Sequence, residues 1–168
     1  YHRPEQPCFT AEEIRRILEA AAEPYRTMFQ VAAETGLRAG ELCALRIGDA
    51  DLERGCISVR QAVWAGKLQS PKSQAAYRTI PISGQLVGRL RGLVNGDGAS
   101  LLFPTRTGRP QQSQSIISRN LKPLLAGLGI KHGGFNAFRH ANATMLDQSG
   151  VPVKVRQERL GHTSSRIT

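Results

Sequence analysis

Glu34-Thr35-Gly36-Leu37-Arg38-Ala39-Gly40-Glu41-Leu42 is the stretch from which this chain is best read. Upstream, Pro24 opens a helical pattern carrying Met28, Val31 and Ala32, and Gly36 stops it in the manner of a left-handed cap. Arg38 therefore stands just past a helix end, and a short helix from Ala39 to Leu45 follows. A second stretch, Phe138-Arg139-His140 followed by Leu160-Gly161-His162, lies far downstream. The chain's tyrosines, Tyr1, Tyr25 and Tyr77, all precede that second stretch, and the sequence stops at Thr168.

Outward from these words the pattern is mainly helical with one sheet insert. Thr10-Ala11-Glu12-Glu13 has the form of a capped helix start, and Ile14, Ile17, Leu18 and Ala21 give one apolar face, so the first helix is expected to run to about Ala22. From Cys56 to Pro81 the period changes. Ile57-Ser58-Val59-Arg60-Gln61-Ala62-Val63 alternates, Gly66-Lys67 makes a turn, and Arg78-Thr79-Ile80-Pro81-Ile82 alternates again, which implies a small antiparallel sheet. Helical patterns resume at 85–93, 113–128, 136–148 and 153–159. The fold class expected is α+β, mainly α with a small antiparallel β-sheet insert. Residues 1–9, with Pro4 and Pro7, read as a linker, and 10–168 as one domain.

Composition narrows the partners. The 168 residues carry 23 lysines and arginines against 13 acids, a net charge of +10 with a pI near 10.4, which favours a polyanion such as nucleic acid. No apolar run reaches membrane-spanning length, and the basic residues are scattered instead of lining one amphipathic helix, so no membrane association is expected. Cys8, Cys43 and Cys56 are an odd number without C-x-x-C spacing, which reads as buried thiols in a reducing cytoplasm and not as disulfides or a zinc site.

Breaking a phosphodiester by covalent catalysis needs a nucleophile, cationic donors on the non-bridging oxygens and an acid for the departing hydroxyl. Arginine suits the second task, because its planar fork presents several donors and stays charged. Most arginines are solvated surface residues. Arg38 at a helix junction and Arg139 within a helix, each in such a local word, are expected instead to converge on one phosphate.

Thr35-Gly36-Leu37-Arg38-Ala39-Gly40-Glu41-Leu42-Cys43-Ala44-Leu45 resembles the first active-site box of the tyrosine recombinases, the integrase family of DNA breaking and joining enzymes. Phe138-Arg139-His140 with Ala143-Thr144, then Leu160-Gly161-His162, resembles the second box and its follow-on. The resemblance covers Thr10 to Thr168. It implies a catalytic domain in which Arg38 and Arg139 bind the scissile phosphate, His162 donates a hydrogen bond to it, Glu41 holds the first box in place and His140 is a packing neighbour of the second arginine. It also implies a preceding core-binding domain and a nucleophilic tyrosine within a helix turn or two of His162, beyond Thr168. By this reading the chain is truncated before its nucleophile and is inactive as it stands.

Pro71-Lys72-Ser73-Gln74-Ala75-Ala76-Tyr77-Arg78-Thr79-Ile80-Pro81 resembles the family's hairpin, whose lysine protonates the leaving 5′ oxygen. Lys72 is preferred over Lys67 because Arg78 and Ile80-Pro81 follow it at the family's spacing. One position departs from the pattern. Three residues before Arg139, where the family has histidine or lysine, stands Asn136, which can hydrogen-bond a phosphate but cannot carry charge or shuttle a proton. Three explanations stay open: a natural low-activity variant, an introduced substitution, or rescue by a nearby group such as His132.

The function implied is site-specific recombination of double-stranded DNA through a 3′-phosphotyrosyl intermediate. No metal or nucleotide cofactor is expected, since the covalent link conserves the bond energy and no P-loop is present. The full-length protein is expected to form a homotetramer on DNA, and this chain to be a monomer. Arg139→Ala is expected to abolish cleavage while leaving the fold intact. Three rival readings fit parts of the sequence: a type IB topoisomerase, a catalytically inactive DNA-binding protein of the same fold, and a metal-dependent nuclease using Asp49 and Asp51. The last is disfavoured because acids in a turn such as Gly48-Asp49-Ala50-Asp51 are commonly solvated loop residues.

Overall fold

The computed structural model describes residues 6–131 and 133–162. Residues 1–5 of the expected linker, His132 and the residues after His162 lie outside them.

Helix α1 (Ala11–Ala20) starts as its sequence requires: Thr10 Oγ1 accepts from the Glu13 N–H at 3.1 Å, and Glu13 Oε2 accepts from the Thr10 N–H at 2.9 Å. It ends two residues short of the expected boundary. Helix α2 (Tyr25–Thr35) is buried from Thr27 to Ala33 and stops where Gly36 turns left-handed at φ 63°. Its main partner is α7 (Phe135–Gln148), against which Phe29 lays its ring 5.8 Å from Phe138 and 6.2 Å from Phe135. Each such ring contributes roughly 1.5–3 kcal/mol by leaving water. This α2–α7 contact is the axis on which the site is built.

The strand expected from Ile57 to Val63 is two strands. β1 (Ala50–Asp51), β2 (Cys56–Val59) and β5 (Arg78–Pro81) form an antiparallel sheet, in which Ile57 faces Ile80 and both are fully buried. The chain breaks away at Arg60 and Gln61, where Gln61 Nε2 donates to the Ala44 carbonyl at 2.6 Å. β3 (Ala62–Trp64) then pairs only with β4 (Lys67–Gln69), through a turn in which Ala65 and Gly66 both take positive φ. A period-2 pattern does not register such a change of partner.

The expected helix over 113–128 is also subdivided. Helix α4 (Gly84–Leu93) leads to α5 (Ser113–Ile116), a π-helical turn at Ile117–Leu121, and α6 (Lys122–Leu128). Pro123 has no N–H for the Arg119 carbonyl, so the run widens just ahead of it. Helix α3 (Ala39–Cys43) is shorter than the Ala39 to Leu45 span expected, and α8 (Val153–Leu160) ends on a left-handed Gly161. Among the described residues, no helix is long and apolar enough to cross a membrane.

Two expectations about single residues change. Cys43 is buried, its thiol pushed up to about 12 by that burial, but Cys8 is exposed, so the thiols are not uniformly interior. Asp49 is buried and accepts from the Arg46 N–H at 2.9 Å, while Asp51 accepts from the Arg54 N–H at 2.9 Å. Both acids serve turns. Among the described residues, no group of three histidine, cysteine or acidic side chains is placed to hold a metal ion.

Candidate active site

Arg139 projects from α7 toward the end of α2. Its Nη1 donates to the Gly36 carbonyl at 2.5 Å, and its Nη2 donates to the Leu160 carbonyl and to His162 Nε2, both at 2.7 Å. The left-handed turn at Gly36 aims that carbonyl, and a Cβ there would sit 2.8 Å from both Asn142 Oδ1 and Leu160 Cδ2. Asn142, one helical turn beyond Arg139, secures the same junction by donating to the Ala33 and Glu34 carbonyls at 3.0 and 2.9 Å.

Arg38 occupies the N-cap position of α3 in extended conformation. Its backbone N–H donates to Glu41 Oε2 at 2.8 Å, and among the described residues its guanidinium donates to Glu41 Oε1 and to the Gly161 carbonyl, both at 3.3 Å. Nearly half of the Arg38 side chain faces solvent. Glu41, by contrast, is buried and belongs mainly to Arg78, whose Nη2 and Nη1 grip both carboxylate oxygens at 2.9 and 3.1 Å. Arg78 also donates to the Arg159 carbonyl at 2.7 Å and to the Ala76 carbonyl at 3.1 Å. One side chain thus ties α3, the end of α8 and the segment after Lys72 together.

The charges follow from this packing. Burial on its own would raise the Glu41 pKa, but the Arg78 fork, the Arg38 N–H and the Arg38 charge hold it below the usual carboxylate value. Arg139 is brought down to about 10 by burial and then by the neighbouring Arg38, with Glu41 working the other way, and it stays protonated at neutral pH. His162 falls to about 4 through burial and then the charges of Arg139, Arg38 and Arg78, so its ring is neutral. Because Nε2 accepts from Arg139, the ring proton sits on Nδ1. Three guanidinium groups around one carboxylate leave the pocket net positive and suited to an anion.

A cavity of about 510 Å³ opens over these groups, lined by Arg38, Glu41, Gly161 and His162 on one side and by Trp64, Lys72 and Ala76 on the other. Lys72, not Lys67, lines it. Asn136 and His140 are placed elsewhere. They line a second cavity of about 580 Å³ with Gln6, Ser113 and Gln114, and His140 Nε2 pairs with Gln6 Oε1 at 2.8 Å. Ala39, between Arg38 and Gly40, borders that second cavity, so the two flank the first turn of α3.

A family model described as "Phage integrase family" matches residues 7–168. The chain belongs to the phage integrase family. Among relatives of this phage integrase family chain, the tyrosine recombinase XerC-like protein of Caldanaerobacter subterraneus subsp. tengcongensis is 29% identical over 189 residues, covering 95% of this chain and 48% of that protein. The crystal structure of XerA recombinase superposes with a TM-score of 0.80 at 26% identity, covering 98% of this chain and 60% of the other. The Tn1549 transposon integrase, solved with transposon right-end DNA, gives 0.79 at 23% identity, covering 99% and 60%. The chain spans about half the length of the XerC-like relative.

The integrase-family chain holds two site residues whose roles sequence reasoning did not assign. Arg78 served only as a spacing marker, although its alternation with the buried Ile80 placed it on the inward face of β5. Trp64 carried no local signal. Its place in the cavity depends on β3 lying against α3, where Gly40 comes so near that a Cβ would be 2.6 Å from the Val63 carbonyl oxygen.

Proposed function

We propose that the chain is the catalytic-domain portion of a site-specific recombinase that cleaves and rejoins double-stranded DNA through a 3′-phosphotyrosyl bond. The observation that carries this reading is the convergence of Arg38, His162 and Lys72 on one cavity, with Arg139 directly behind it, bonded to His162. Membership of the family and the DNA-bound state of the Tn1549 integrase support it.

In this reading Arg38, its side chain nearly half exposed, takes the non-bridging phosphate oxygens, and Arg139 stabilises the same developing charge from its buried seat. His162 adds a neutral imidazole hydrogen bond. A tyrosine hydroxyl attacks phosphorus and loses its proton to water, the bond to the 5′ oxygen breaks, and Lys72 gives its proton to that oxygen. The tyrosine is supplied by sequence beyond Thr168, and residues 1–9 connect to a preceding DNA-binding domain. The full-length protein works in the cytoplasm as a homotetramer on DNA, whereas this chain alone is a monomer and inactive. Asn136, in the neighbouring cavity, offers a hydrogen bond to the DNA backbone without taking part in proton transfer.

The test is covalent trapping of the full-length protein on nicked DNA. A protein adduct on the 3′ end that forms in the presence of a chelator is the expected product. Cleavage that leaves no adduct, or that stops with chelator, overturns the reading.

A further inference from the structure

Trp64 is the chain's single tryptophan, and 70% of it is exposed, more than any other large apolar side chain among the described residues. Packing does not account for it, yet its backbone is held firmly. Trp64 pairs with Lys67 across the β3–β4 hairpin, and β3 is clamped to α3 at Gly40, the helix whose N-cap is Arg38. Lys72, by contrast, sits in the irregular segment between β4 and the short 3₁₀ turn at Gln74–Ala76. Its Nζ lies 5.9 Å from the centre of the Trp64 ring, and both residues line the cavity that holds Arg38 and His162.

We propose that Trp64 is a positioning residue for Lys72, holding its ammonium over an indole face at the mouth of the phosphate cavity. The inference rests on the reading in which Lys72 protonates the leaving oxygen. A lysine has much rotamer freedom to lose, and an aromatic face attracts an ammonium without neutralising it. A carboxylate in the same place would add negative charge where the phosphate must sit. The indole therefore restrains the acid and leaves its proton transferable. As the tyrosyl oxygen–phosphorus bond forms, with the tyrosine proton lost to water, and the phosphorus–5′ oxygen bond breaks, the Nζ proton passes to the 5′ oxygen and Lys72 is left neutral. Rejoining returns the proton.

The experiment uses the full-length protein on nicked DNA carrying either an ordinary scissile phosphate or one with sulfur in the bridging 5′ position, a leaving group that needs no proton. Trp64→Ala is expected to slow cleavage of the ordinary substrate by about two- to fivefold, the scale of an exposed cation–π contact, and to leave the sulfur substrate unchanged. Trp64→Phe keeps most of the rate. Added to Lys72→Ala, the Trp64 substitution costs nothing further. Equal slowing of both substrates, an additive loss in the double variant, or an unchanged ordinary rate each overturns the proposal. Wild-type protein that forms no adduct at all overturns the recombinase reading instead, so the two failures are distinct.

Discussion

Arg139 and His162 are joined by a 2.7 Å hydrogen bond from the guanidinium to the imidazole Nε2, which makes the histidine an acceptor on its arginine side and keeps its ring neutral. The histidine's ordinary value is 6.5, and in the folded chain it is held to about 4, first by burial and then by three arginines. A depressed folded value means that the unfolded chain takes up the proton first as pH falls, so stability is full above about 6.5 and is lost on the way down to about 4. Melting temperatures of wild type and His162→Gln should run parallel above neutrality, with the wild type losing more between those limits. Parallel curves down to pH 4 would refute this.

Arg38 and Arg139 are expected to separate chemistry from folding. Among the described residues the Arg38 guanidinium makes long contacts and its side chain is nearly half exposed, so Arg38→Ala should cut covalent adduct formation about 10²- to 10³-fold while shifting stability by no more than about 0.5 kcal/mol. Arg139→Ala also leaves the Gly36 and Leu160 carbonyls without a donor, so it should lower the melting temperature as well as abolish cleavage. The same melting curve tests the expectation that its removal leaves the fold intact, against the burial of the side chain.

Arg78→Met should cost about 3–5 kcal/mol in denaturant titrations, because it leaves the Glu41 carboxylate buried without its fork. Pairing it with Glu41→Gln should recover part of that loss. If the double variant is as unstable as the sum of the singles, the pair is not the coupled unit described.

Gly36→Ala should destabilise the chain by about 1–3 kcal/mol, since the left-handed backbone and the contacts with Asn142 and Leu160 both oppose a Cβ. Gly92→Ala is the control. It lies in α4 with open space around it, and should raise stability by about 0.5–1 kcal/mol. Urea unfolding of the two variants checks both signs.

What was legible in the sequence was what local chemistry decides. The Thr10 capping box, the Gly36 stop and the alternation around Ile80 each need only a few neighbouring residues, and each is present in the structure. The family words identified Arg38, Lys72 and His162, which do share a cavity. The division of 57–63 into two strands was not legible, because it depends on Gln61 reaching the Ala44 carbonyl across a turn. Neither was Asn142, whose role is to hold the end of a helix more than a hundred residues earlier. Asn136 and His140 lie close in sequence to Arg139 but line a different cavity; four residues apart on α7, they share a helix face.

The carbonyl of Leu160 and the ring of His162 complete a pocket whose first wall, Gly36 to Glu41, is made more than a hundred residues sooner. A ribosome adding roughly 5–20 residues per second exposes that first wall many seconds before its counterpart exists. During that interval the nascent chain carries Arg38 without the shell that orients it. The anion pocket therefore closes late in biosynthesis, after most of the domain has emerged, and a prematurely terminated product lacking α8 would be a basic polypeptide with that pocket open on one side.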